Sequence, residues 1–260
     1  MRNVLTIIGK ELRSYFVSPV AYVVLTGFLL LGGWFFFNLL SRFSLLLTLY
    51  LQFQGGQGAE AANRLNLNDY VISPLMHNLS IVLVILVPMI TMRAYAEEKK
   101  GGTYELLLTS PVRTGEIVLG KFLASFLFVC LMIGLTGIYP AILLAFGNPE
   151  LGVIAAGYLG LLLLATAFVT VGLLTSSFTE NQIIAAVSGL VATLLLYIIG
   201  WPADTAGNVL GPLLRYLSVT EHFAEMVKGL IDTRDLVYFA SLIALALFLT
   251  QRSVESLRWR

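Results

Sequence analysis

Apolar runs of membrane-crossing length alternate with short polar stretches along this chain, and they do so six times. The runs cover residues 20–40, 74–92, 117–146, 151–174, 183–201 and 236–250. A bilayer's hydrocarbon core needs about 20 helical residues, so each run predicts a transmembrane helix, the short sixth one starting earlier or tilting. Pro88 lies inside the second run, and the third bends, if anywhere, at Gly134, Gly137 and Pro140. Arg42 marks the water boundary after the first run, so Phe43–Phe53 reads as a separate interfacial helix on the far side. Gly55–Asp69 is a polar linker, and Asn148-Pro149-Glu150 is a tight turn. Within 203–235, Thr220 caps a short amphipathic helix with Phe223, Met226, Val227, Leu230 and Ile231 on one face.

The N-terminal residues 3–16 follow a helical period instead of a continuous apolar one. Val4, Leu5, Ile7, Ile8, Leu12, Tyr15 and Phe16 fill one half of the wheel, with Arg2, Thr6, Gly9, Lys10 and Arg13 on the other. That pattern predicts a helix lying in the membrane interface with its basic side chains at the headgroups. Glu11 falls in the apolar half. It either tilts out to water or finds a cation in the charged segment between the second and third runs.

That segment, Arg93–Lys121, carries nine charged residues where the flanking runs carry almost none. Arg93–Lys100 extends the second run, with Arg93, Glu97 and Lys100 at helical pairing distances. Gly101 and Gly102 break it. Thr103 caps a short helix with Glu105 in its first turn, Leu106, Leu107 and Leu108 form an apolar ridge, and Pro111 ends the piece. Thr114 then caps the third span, with Glu116 two residues on. The segment is either a solvated loop with good helix punctuation or an element on which a soluble partner pushes.

Composition narrows the class. Apolar residues make up 58% of the chain and charged ones 12%, with a mean hydropathy of +0.87, far from the soluble average of about 45–50% apolar. A net charge of +1 argues against a nucleic-acid-binding surface. The single cysteine, Cys130, lies in an apolar run, and the N-terminus lacks the pattern of a cleavable signal peptide. Lys and Arg divide eleven against five when both termini and the Arg93–Lys121 segment share one side, which places that side in the cytoplasm. No phosphate-binding loop is present, because Gly9-Lys10 leads into Glu11 and Gly120-Lys121 into Phe122. His77 and His222 have no metal-site spacing, and no hydrolase signature occurs. An ion-coupled carrier keeps charge at mid-depth; the six predicted cores keep none, so the driving energy comes from elsewhere. Gly152, Ala156 and Gly160, and Ala185, Gly189 and Thr193, form small-residue rows for close helix contact, within the chain or between subunits.

Glu97-Glu98-Lys99-Lys100-Gly101-Gly102-Thr103-Tyr104-Glu105-Leu106-Leu107-Leu108-Thr109-Ser110-Pro111-Val112, followed by Gly120-Lys121, resembles the first cytoplasmic loop of bacterial ABC transporter permeases of the type-2 exporter family. Lys10-Glu11-Leu12 to Ser18-Pro19 and Leu217-Ser218 to Trp259 are similar too, and the gliding-motility-associated branch looks nearest. The resemblance implies an all-α polytopic membrane protein forming one domain over 1–260. It would comprise an interfacial helix over 1–18, six transmembrane helices, a cytoplasmic coupling loop over 93–121 with a short coupling helix, and periplasmic segments 41–73 and 202–235. The family implies a non-catalytic permease subunit of an ATP-driven exporter in the bacterial inner membrane. The chain would bind no cofactor itself, with Mg-ATP on a separate ABC ATPase subunit. It would pair with a second permease copy or a paralogue, and the branch suggests an accessory membrane or periplasmic protein. Docking then falls to Leu106, Leu107 and Leu108, helix start to Thr103 and Glu105, charge to Glu97 and Glu98, the bend to Gly101 and Gly102, the stop to Pro111, and the interfacial helix to Lys10, Glu11 and Arg13. The alternative is a non-transporting subunit relaying ATPase motion to a periplasmic or surface machine.

Overall fold

A computed structural model describes residues 2–53, 65–102 and 112–257. The described residues are mostly helical, with no strand among them, and six helical stretches are long and apolar enough to cross a membrane. Helix α1 spans Arg2–Val17, and α2 spans Pro19–Phe53. One π-helical turn, Asn68–Ile72, leads into α3 (Ser73–Thr91), which continues as α4 (Arg93–Lys100). The third crossing divides into α5 (Thr114–Leu135) and α6 (Ile138–Phe146), followed by α7 (Leu151–Phe178) and α8 (Gln182–Ile198). Two short helices, α9 (Gly207–Leu217) and α10 (Val219–Val227), precede the last crossing, α11 (Thr233–Leu257).

The core is organised around α7, which touches α3, α4, α5, α8, α10 and α11. Small residues make that possible. A Cβ on Gly160 would lie 2.9 Å from Met226 Cβ, so α10 seats directly on the α7 backbone. Ala156, Ala185 and Thr193 are buried in the same way, and Gly189 faces Pro88. These four and Gly160 pack helices within the chain, while Gly152 has open space beside it.

Helix breaks fall where a neighbouring helix supplies the missing bond. Pro88 has no N–H for the Val84 carbonyl, and Thr193 Oγ1 from α8 donates to that oxygen at 3.3 Å. At the Met92 break, Ser176 Oγ of α7 accepts from Tyr95 N (3.1 Å) and Ala96 N (3.3 Å) and donates to Met92 O (2.9 Å). A hydroxyl from another helix thus caps α4, which is why α4 stays packed with Ala94, Tyr95 and Ala96 buried instead of running free into water.

Several expected boundaries move. Residues 20–53 form one helix, with no separate interfacial piece after Arg42. No Gly or Pro interrupts Leu40–Phe53, and Ser44 and Thr48 bond back to carbonyls one turn earlier. At 35 residues the helix is about 50 Å long, longer than a hydrocarbon core of about 30 Å. Arg113, with extended backbone, is the N-cap of α5 in place of Thr114, because Glu116 accepts from Arg113 N at 3.1 Å. Ser218 caps α10 in place of Thr220; Phe223, Met226 and Val227 are buried, but Leu230 and Ile231 lie past the helix end and are exposed. The third crossing breaks at Thr136-Gly137.

Candidate functional site

One end of the bundle gathers α1, the α2 start, α4, the α5 start and the ends of α7 and α11. Helix α1 lies along α5 because α5 offers a smooth patch there: Ile7 sits on Gly120, where a Cβ would come within 2.7 Å of Ile7 Cγ2. Tyr15 Oη and Ser125 Oγ are hydrogen-bonded at 2.9 Å, and the Tyr15 and Phe16 rings meet Phe128. Burial pushes the Tyr15 phenol well above its ordinary range. The apolar half of α1 is therefore seated partly on protein, with Leu5 left facing outward.

Seating α1 this way places Glu11 against the most buried cation among the described residues. Lys121 Nζ, its side chain 2% exposed, lies 2.7 Å from Glu11 Oε1 and 2.9 Å from Glu98 Oε2. Lys10 Nζ closes the set at 2.6 Å from Glu98 Oε1. Two cations and two carboxylates thus alternate across α1, α4 and α5 and sum to zero charge. A buried ion without a partner would cost several kcal/mol, so this neutrality is what permits burial. Lys121 also lies 5.3 Å from the Tyr95 ring centroid, with the ring's face offering further cation stabilisation. Partial burial would lower the Lys10 ammonium, but the hydrogen bond and charge of Glu98, with the charge of Glu11, outweigh it and raise its pKa.

Further bonds tie the same end together. Lys99 Nζ donates to Ser177 O at 2.5 Å, and Ser177 Oγ donates to Ser253 Oγ at 2.9 Å, linking α4 to α7 and α7 to α11. Asn3 Nδ2 donates to Glu116 Oε2 at 3.3 Å, holding the start of α1 to the start of α5. Helix α4 stops at Gly101, and Gly102 has φ +68°, a left-handed turn that suits glycine. Beside the ionic set, a cavity of about 520 Å³ opens between α1, α2, α3–α4 and α5.

Of the residues singled out from sequence, Lys10, Glu11 and Glu98 come together, Glu97 is exposed on the cavity wall, and Gly101 and Gly102 end α4. Arg13 is exposed. Thr103, Glu105, Leu106, Leu107, Leu108 and Pro111 lie outside the described residues. Lys121, where the charged segment and the third run overlap, lies in the second turn of α5, buried in protein. One expectation changes. Arg93 turns to Ser18 Oγ (3.1 Å) in place of Glu97.

Sequence reasoning missed Lys121 as the centre of the site, although a lysine at the mouth of an apolar run was its visible sign. It also missed a dyad at the opposite end. His222 Nδ1 lies 2.6 Å from Asp235 Oδ1 and Nε2 lies 3.1 Å from Tyr216 O, with the imidazole stacked 4.0 Å from Tyr238. That dyad locks α10 to α11.

A family model described as ABC-2 family transporter protein matches residues 57–250, about three-quarters of the chain. The chain belongs to the ABC-2 transporter family. Comparison with curated proteins gives no match. The ABC-2 match makes this chain the non-catalytic permease component of an ABC transporter, and the family implies an ABC ATPase as partner. The six apolar crossings agree with a multi-pass membrane protein. The ionic set then joins α1 to α4 and α5, the helices that flank residues 103–111, and two of its members, Glu98 and Lys121, belong to the sequence motif.

Proposed function

We propose that this permease belongs to an ATP-driven exporter of the bacterial inner membrane and receives the motion of its ATPase through the Arg93–Lys121 segment. The observation that carries the reading is the Glu11–Lys121–Glu98–Lys10 set. It joins α1, α4 and α5 by charge, so a push on the chain between α4 and α5 moves three elements together instead of bending one. Both termini and this end face the cytoplasm, in keeping with the Lys/Arg bias. Leu106, Leu107 and Leu108 dock the ATPase, Thr103 and Glu105 start the docking helix, and Pro111 stops it. Two permeases, identical or paralogous, form the working unit, with Mg-ATP held by the ATPase subunits. Cargo leaves the cell between the permeases.

The test is affinity purification of the tagged chain from its host in mild detergent. An ABC ATPase should co-purify with the native chain and be lost with Leu107→Asp or Glu105→Ala while the permease pairing persists. Retention of the ATPase and of ATP-dependent activity by both variants would refute this coupling site.

A second reading, a subunit that relays ATPase motion to an extracytoplasmic machine of the gliding-motility type, is favoured by one observation. Helix α9 exposes Val209, Leu210 and Leu213 beside Trp201 at the end opposite the ionic set, a surface suited to an accessory protein. Accessory proteins in fixed ratio in the same eluate would favour the relay.

A further inference from the structure

The cavity beside the ionic set has a direction. Along α2, reading away from the charged end, its wall passes from Ser18 to Val20 and Val24. Along α4 and α3 it passes from Glu97 and Arg93 to Ile90 and Met89. Both walls therefore change from polar to apolar in the same sense, and the volume of about 520 Å³ is that of a small-molecule site. A ligand that fits this gradient has a polar head at the mouth and a hydrocarbon tail within.

The charges select the head. Lys10, Glu11, Glu98 and Lys121 line the cavity but satisfy one another. Arg93 and Glu97 take part in none of those pairs. Arg93 donates from Nη1 to Ser18 Oγ at 3.1 Å, and among the described residues its Nη2 is engaged by no other group. A guanidinium with donors to spare suits a phosphate, which accepts from several N–H groups at once. Glu97 stands one helical turn from Arg93, at the exposed mouth, and suits an ammonium group. A purely anionic head would meet that carboxylate unfavourably, and a trimethylated amine could donate no hydrogen bond to it.

We propose that the cavity binds one zwitterionic phospholipid with a primary amine head, its phosphate on Arg93, its ammonium at Glu97 and an acyl chain against Val20, Val24 and Met89. Such a lipid fills the space between α1 and the spans and makes α1 part of a lipid-supported joint. The proposal needs the helices to lie in a bilayer, and it is independent of ATPase docking.

The test is native mass spectrometry of the purified full-length chain in detergent, with neither ATP nor ATPase present. It is titrated with phosphatidylethanolamine, phosphatidylglycerol and phosphatidylcholine of matched acyl chains, and with soluble phosphoethanolamine. One molecule of phosphatidylethanolamine should bind saturably and ahead of the other two lipids. Arg93→Gln should weaken it about tenfold, the scale of one hydrogen bond to a charged group. Glu97→Gln should remove the preference over phosphatidylglycerol. Val20→Trp should block binding, and Val17→Trp, at an exposed position of the cavity lining at the end of α1, repeats that arm in a variant whose folding is not at risk. Binding unchanged in all these variants, or phosphatidylglycerol preferred by the native chain, would overturn the proposal. So would soluble phosphoethanolamine competing as well as the lipid, since the head alone would then account for binding.

Discussion

Replacing Lys121 by Met keeps much of the side chain's volume and removes only its charge. What remains is Glu11 and Glu98, 11% and 12% exposed, with Lys10 as the one cation nearby. Lys10 is 59% exposed and meets Glu98 at 2.6 Å but Glu11 only at 3.9 Å, so Glu11 is left nearly alone. Breaking a buried pair by removing one partner costs about 3–5 kcal/mol, because the survivor is a desolvated charge. At roughly 2–4 °C per kcal/mol for a chain of about this size, the melting temperature of Lys121→Met in detergent should fall by roughly 10 °C. The charge count makes a sharper statement. The set is neutral in the native chain, carries one excess negative charge in Lys121→Met, and is neutral again in Lys121→Met with Glu11→Gln. The double variant should therefore melt above the single one, recovering about 1–3 kcal/mol of coupling. The assay is thermal unfolding of the four members of this cycle, followed by circular dichroism. A single variant within about 2 °C of the native chain, or a double variant that is merely additive, would show the set to be solvated and not a lock.

Two further outcomes follow from the same end of the bundle. Gly120→Ala puts a methyl group within 2.7 Å of Ile7 Cγ2 and 2.8 Å of Ile7 Cβ, so α1 must lift from α5; overpacking of about 1–3 kcal/mol is expected, and a melting temperature equal to that of the native chain would refute the close seating. The raised Lys10 ammonium sets a pH dependence: its folded value lies above 10.5, so its stabilisation is complete below the unfolded value and fades as pH rises through the folded one. The difference in melting temperature between the native chain and Lys10→Met should accordingly stay constant from about pH 7 to about pH 10 and shrink only above that; shrinkage near pH 8 would contradict it.

Much of this protein is written locally. Six apolar runs, each too long and too poor in charge for water, determine six crossings, since the cost of exposing them is paid residue by residue and needs no knowledge of neighbours. The amphipathic period of α1, the break at Gly101-Gly102 and the bend near Gly137 are local in the same sense, and all appear at their expected places. The small-residue rows told that helices approach closely there, but not which partner they meet.

Only the tertiary structure decided who pairs with whom. Lys121 and Glu11 are 110 residues apart, Lys10 and Glu98 are 88 apart, and Ser176 reaches Tyr95 across 81. In sequence Lys121 is an ordinary lysine at the end of a charged segment. It becomes the centre of the site because α1 lies down on Gly120 and carries Glu11 to it. The same holds for the continuous α2, where a lone Arg42 suggested a boundary but nothing in the backbone required one. Burial in lipid is a property of each segment, whereas charge neutrality and capping are properties of helices brought together by packing.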